Sequence, residues 1–185
     1  KKFRGVERRI GTQMKSVGEV MAIGRNFEEA IQKASRMCDT SRYGVVGNGI
    51  DSCTDLNEIK KNLFEPTDLR LFYIAAAIKN GISLEEIHEL TKIDLWFLNK
   101  LENIIGMEIL LKQEMQKQGP LNNRLKCLLE AKKFGFSDAG IAKIAGLKES
   151  EIRRMRVENN IIPHVRQIDT LAAEWPSKTN YLYLT

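Results

Sequence analysis

The chain contains an internal repeat. Displaced by about 54 positions, the stretch Asn80 to Leu101 lies over the stretch Phe134 to Met155. Gly81 then meets Gly135, Ser83 meets Ser137, Ile87 meets Ile141, Leu90 meets Ile144, Ile93 meets Leu147, Leu98 meets Ile152 and Leu101 meets Met155. The match extends upstream, where Arg70, Leu71 and Ala77 fall on Arg124, Leu125 and Ala131. A fixed period of this kind dictates architecture, because each copy must form the same supersecondary unit. In each, a helix ends at glycine, Ser83 or Ser137 caps a short second helix, and a third helix begins near Asp94 or Lys148. The matched apolar positions recur at three- and four-residue steps, so they form stripes that one short helix cannot bury by itself. The expected fold class is mainly α: two repeated three-helix units stacked on each other.

The rest of the chain is organised around that pair. Residues 1–25 are punctuated by glycine and read as extended segments and turns. Asn26 is placed to cap a helix, with Glu29 three residues on as in a capping box, Phe27, Ala30, Ile31 and Ala34 on one face, and an end near Cys38. Residues 39–55 are rich in turn formers and read as a loop and linker that holds a domain boundary. The third helix of the first unit continues through the stretch "ENIIGMEILLKQEMQKQGP" and breaks at Gly119 and Pro120. The last helix runs to about Asn160, Pro163 ends it, and residues 165–185 return to loop and strand. Trp175 beside Pro176 reads as an anchor for this returning chain. The first residues and the closing "YLYLT" both read as cut from something longer.

With 185 residues, 43% hydrophobic and 29% charged, the chain is an ordinary globular one. Its net charge of +5 comes from 29 basic residues interspersed with 24 acidic ones, so charge alone identifies no partner. Cys38, Cys53 and Cys127 are too few and too far apart for a disulfide framework or a zinc knuckle, which makes a reducing compartment the default. No apolar run approaches the ~20 residues that span a bilayer, so a soluble protein with no membrane partner is expected.

Residue chemistry points away from catalysis. His88 and His164 have no cysteine or second histidine near them, His88 is expected to be solvent-exposed, and no metal site follows. Neither "GEVMAIG" nor "GVVGNG" carries the lysine and hydroxyl residue that a phosphate-cradling loop of the Walker type requires. The alternative reading is nucleic-acid binding, because "FSDAGIAKIAGLKESEIRRMR" has helix-turn-helix spacing with Arg153, Arg154 and Arg156 on its second helix. Against it, Glu149, Glu151 and Glu158 share that helix and repel phosphates. The other copy has Asp94, Leu95, Trp96 and Phe97 where base-reading side chains are needed. Trp96 and Phe97 read instead as a packing or subunit interface.

The stretch "TQMKSVGEVMAIGRNFEEAIQKA" resembles the motif that closes the first ATP-grasp half of the large, synthetase component of carbamoyl phosphate synthetase. The blocks "EPTDLRLFYIAAAIKNGIS", "LTKIDLWFL", "GFSDAGIAKIAGL" and "VRQIDTLAAEWPSKTNYLYLT" resemble that family's central helical region and its lead into the second half, the last being closer to eukaryotic members. The resemblance covers essentially the whole chain. It implies that residues 1–38 are the tail of the carboxyphosphate half, 39–167 a helical oligomerisation domain, and 168–185 the start of the carbamoyl-phosphate half. It further implies a parent enzyme that makes carbamoyl phosphate from bicarbonate, glutamine-derived ammonia and two ATP, with magnesium and potassium, for pyrimidine or arginine synthesis. The cofactor-binding blocks of the family lie outside this sequence, so no catalytic, cofactor or metal residue is expected here. By the same resemblance Met14 and Val17 line the passage that carries carbamate between the halves, with Glu19 nearby and Gly18 permitting close backbone approach. Ordinary core packing is the competing reading of Met14 and Val17. Implied partners are the two ATP-grasp halves of the parent chain, a glutaminase subunit or domain, and further copies of the chain, in the cytoplasm or, for some family members, the mitochondrion.

Overall fold

The computed structural model describes residues 5, 7–16, 18–38, 41–116, 120–172, 174–176 and 181–185. Among these, eight α-helices enclose the core: α1 (Phe27–Cys38), α2 (Leu56–Phe64), α3 (Arg70–Lys79), α4 (Leu84–Thr91), α5 (Leu95–Gln116), α6 (Leu121–Lys133), α7 (Asp138–Ala145) and α8 (Glu149–Glu158). Two short strands, β1 (Val165–Gln167) and β2 (Leu182–Leu184), pair antiparallel, with Val165 opposite Leu184. The mainly α expectation holds, and the repeat corresponds to α3–α4–α5 and α6–α7–α8.

The period is visible in the hydrogen bonds themselves. The first helix of each unit closes in the same way, with Ile82 N–H donating to Ala77 O at 3.1 Å and Phe136 N–H to Ala131 O at 3.0 Å. Both closures pass through a left-handed glycine, Gly81 at φ 77° and Gly135 at φ 82°, a conformation that costs any other residue sterically. Ser83 Oγ then accepts from Glu86 N–H at 3.2 Å, and Ser137 Oγ from Gly140 N–H at 3.0 Å. Lys92 and Gly146, again in register, end the middle helices in left-handed geometry.

Packing follows from this shared backbone. Ile87 and Ile141 are fully buried, as are Leu98 and Ile152, and Ala77 and Ala131. Each large aliphatic side chain of this set contributes roughly 1.5–3 kcal/mol through burial. The 22-residue α5 is the common wall. It carries Leu98, Leu101, Ile104, Ile105, Leu111 and Met115 into the core and touches α3 and α4 of its own unit and α6 and α7 of the other.

The two units differ in how they secure one corner. Lys132 Nζ reaches Asp138 Oδ1 at 2.8 Å, and Arg156 pairs with Asp138 Oδ2 at 3.1 Å, linking all three helices of the second unit. The matching positions in the first unit are Ile78, Leu84 and Glu102, and there Ile78 and Leu84 pack against the core. Burial raises the Asp138 pKa, but its bonds to Lys132 and Arg156 overcome this and hold it below the usual carboxylate range.

Three expectations need correction. The turn-rich stretch assigned as a linker packs onto the helical body through residues 44–46 and Asp51. Val45 and Val46 are buried, and Asp51 accepts from the backbone N–H groups of Gly47, Asn48 and Gly49 at 2.9–3.0 Å, so the turn folds onto its own carboxylate. Next, α1 ends at Cys38 as expected, but its most buried residues are Glu28, Glu29, Gln32 and Ser35 rather than the apolar set, of which Phe27 and Ile31 are partly buried against the core. Finally, Trp175 is 71% exposed, so its ring is not packed as an anchor among the described residues. Helix α2 has a signal that the glycine-and-repeat reading passed over. Asp55 caps it by accepting from Asn57 N–H at 2.9 Å, and Ile59 and Leu63 face inward at four-residue spacing.

Candidate functional site

The opening motif leaves the helical body as an arm. Ile10 N–H donates to Pro66 O at 2.6 Å and Arg8 pairs with Asp68 at 2.9 Å, fixing the arm's root to the corner between α2 and α3. From there residues 11–16 and 18–21 run exposed, with Met14 91% exposed and Glu19 also open. Val17 lies outside the described residues. Among the described residues no heavy atom comes within 4 Å of where a Gly18 side chain would begin. Met14 is therefore not part of this chain's core.

The arm returns to the body at α1. Asn26 Oδ1 accepts from Glu29 N–H at 2.8 Å, as a helix cap should. The Glu29 carboxylate does not complete the box on Asn26; it accepts one residue earlier, from Arg25 N–H at 2.8 Å. The polar face of α1 then meets the helical body through specific bonds. Glu28 accepts from Asn103 Nδ2 at 2.9 Å, Gln32 Oε1 from Val45 N–H at 2.9 Å, and Arg36 donates to Gly135 O at 2.6 Å. A polar contact of this type is directional: it specifies one seating of α1, whereas an apolar face tolerates sliding.

At one end of the same contact lies the aromatic edge. Phe27, Trp96 and Phe97 form a three-ring cluster with centroid separations of 5.0–5.6 Å, and Lys100 Nζ sits 5.4 Å from the Trp96 ring. Trp96 remains 53% and Phe97 43% exposed, so the cluster is half packed and half open. The structure thus brings Trp96 and Phe97 together with Phe27.

A cleft of about 570 Å³ opens where α1, α6, α8 and the end of the chain meet. Arg25, Lys133, His164 and Arg166 line it beside the apolar Ile161 and Pro163. Among the described residues no group of three or more His, Cys, Asp or Glu could hold a metal. His88, expected in solvent, is half buried, with Nδ1 2.7 Å from Ile93 O across the turn into α5. Burial pushes the Cys127 thiol up to about 11, away from reactivity. In the helix-turn-helix region Arg156 is committed to Asp138 and to Ile161 O, the latter at 2.9 Å, which withdraws one of the three cations that reading needed. No helix is long and apolar enough to cross a membrane among the described residues.

Residues 19–160 match the carbamoyl-phosphate synthetase large chain oligomerisation domain. Over the whole chain, identity is 49% to the mitochondrial carbamoyl-phosphate synthase [ammonia] of Aquarana catesbeiana, and 49% to that of Homo sapiens. It is 48% to the carbamoyl phosphate synthase large chain of Sulfurisphaera tokodaii. The chain spans 12% of the length of the first two and 17% of the third. This match and these identities show that the chain belongs to the carbamoyl-phosphate synthetase large chain family and comprises its oligomerisation domain.

Proposed function

We propose that the chain works by position: it seats two catalytic halves of a carbamoyl phosphate synthetase on one helical body and provides contacts between copies. Residues 1–38 would be the tail of the carboxyphosphate half, 39–167 the body, and 168–185 the start of the carbamoyl-phosphate half. The parent would phosphorylate bicarbonate with one ATP, combine the carboxyphosphate with glutamine-derived ammonia, and phosphorylate the resulting carbamate with a second ATP. The ATP, magnesium and potassium would be held by residues outside this chain, and ammonia would come from a glutaminase subunit or domain. The site of action would be the cytoplasm or the mitochondrion.

The observation that carries this reading is the half-open aromatic edge on the helical body. An edge of three aromatic rings is the kind of surface that association buries. Replacing Trp96 and Phe97 together by aspartate is expected to weaken self-association of the chain or its packing against the halves. Sedimentation and thermal melting check this, and unchanged values in both contradict it.

The exposed arm supports the same reading. A methionine open to this degree gains an apolar cover only from outside the chain, as the wall of an internal passage would. Walls of methionine and valine give carbamate little to bind, and excluding water protects it from hydrolysis. In the intact parent, Met14→Trp is therefore expected to uncouple ATP hydrolysis from carbamoyl phosphate formation. Retained coupling would remove Met14 from the passage.

A further inference from the structure

Two adjacent side chains on α1 connect segments from opposite ends of the sequence. Glu29 is 3% exposed, and its Oε2 accepts from Arg25 N–H at 2.8 Å and from the Thr185 hydroxyl at 3.1 Å. Its Oε1 pairs with Lys33 Nζ at 2.7 Å, one helical turn along. Lys33 in turn donates to Ile23 O at 2.8 Å and to Leu184 O at 2.6 Å, with the Tyr183 ring 5.9 Å away. An ammonium group has three donors, and all three are used here. Residues 23–25 and 184–185 are thus joined through one charged pair, across sequence separations of 151 and 156 residues for the Lys33 and Glu29 bonds to the chain's last two residues.

The pair is itself pinned to the body. Gly135 lies so close to α1 that a side-chain carbon there would come 2.8 Å from Glu29 Cα, and Arg36 holds the Gly135 carbonyl. Their partners outside α1 lie in the two flanking segments: Lys33 donates to the backbone carbonyls of Ile23 and Leu184, and Glu29 accepts from the Arg25 backbone N–H and the Thr185 hydroxyl. Charge-assisted bonds to backbone carbonyls fix register, since a shift of one residue along either segment breaks them.

We propose that Glu29 and Lys33 are positioning residues that hold the tail of the first half and the start of the second in one register, keeping the passage between the halves closed while carbamate moves. This rests on the scaffold reading above. The test uses the full-length parent with Lys33→Met, which keeps the aliphatic stem and loses the donors. Bicarbonate-dependent ATP hydrolysis by the first half, and ATP formation from carbamoyl phosphate and ADP by the second, are expected to stay within about twofold, while ATP consumed per carbamoyl phosphate formed at least doubles. Lys33→Arg is expected to restore most of the coupling, and Thr185→Val to shift it in the same direction by less. In the same Lys33→Met protein, exchange of the Thr185 amide, which donates to His164 O at 3.0 Å, should accelerate by about tenfold or more. An unchanged ATP ratio together with unchanged exchange overturns the proposal, and so does a fall of both partial rates with the ratio intact, which is the mark of a merely structural residue. If Lys33→Met does not fold, an unchanged ratio in Thr185→Val overturns it. A wild-type parent that forms no carbamoyl phosphate would instead remove the scaffold reading, and the exchange result would then decide the clasp alone.

Discussion

Replacing Lys79 by methionine is expected to destabilise the chain by about 3–5 kcal/mol, because it leaves two buried carboxylates facing each other without a cation. Lys79 Nζ lies 2.6 Å from Asp51 Oδ2 and 2.6 Å from Glu108 Oε2, joining the folded turn of residues 44–52 to α3 and α5. The two acids respond to burial differently. Burial pushes the Asp51 pKa up, but its bond to Lys79 and those from the Gly47 and Asn48 backbone N–H groups bring it below the usual range. For Glu108 burial outweighs the opposing Lys79 bond, so its pKa is raised.

The sign of the pH dependence follows. A depressed Asp51 contributes stability that is present above about pH 4 and lost as pH falls through its folded value. A raised Glu108 does the reverse: stability increases as pH falls through its folded value, down to about pH 4.3, where the unfolded chain also takes up the proton. Without Lys79, Glu108 has less reason to stay ionised, so the variant should lose most at pH 8 and recover part of the loss near pH 5. Adding Glu108→Leu should recover much of the stability at both values, since Asp51 keeps its three backbone donors. Urea melts of the single and double variants at the two pH values check this. A single variant within about 1 kcal/mol of wild type at pH 8 would mean that the three charges are not coupled.

The second large effect concerns the repeat. Ile87→Ala and Ile141→Ala are each expected to cost about 2–5 kcal/mol, the range for emptying a fully buried aliphatic site. Both residues occupy the same position in their units and are wholly inaccessible, so their costs should be of similar size. Denaturant titration of each variant gives the numbers. A loss below about 1 kcal/mol at either position would show that its unit collapses around the gap and carries little of the packing.

How far the fold was legible depends on the range of the interactions that decide each element. The caps at Ser83 and Ser137, the glycine closures at Gly81 and Gly135, and the stripes through Ile87 and Ile141 are local signals repeated twice, and repetition makes each copy a check on the other. The seating of α1 was not legible. Glu28, Glu29 and Gln32 are charged or polar, and the partners that allow them to be buried, Asn103, Thr185 and Val45, are scattered over the chain. The burial of Val45, Val46 and Asp51 was hidden for a related reason. Glycine and asparagine on either side mark a turn correctly but do not indicate which side of it meets α3. The unit-specific clamps also depend on residues that the copies do not share: Lys79 has its counterpart in Lys133, but its partners Asp51 and Glu108 lie outside the matched stretch, and Asp138 stands where the first copy has Leu84, so the repeat itself could not point to them. Of the candidate site, the aromatic pair Trp96 and Phe97 stood out in the sequence, whereas its third ring, Phe27, lies about 70 positions away and joins it only through the docking of α1.

The central claim is that two copies of a three-helix unit, neither able to bury its own stripes, make one cooperative body. Native-state hydrogen exchange tests it most directly, by comparing the amides of Ile87 and Leu98 with those of Ile141 and Ile152. Opening of all four at the same free energy, equal to that of global unfolding, is the expected result. One pair opening several kcal/mol below the other would show two separately stable units and contradict the account.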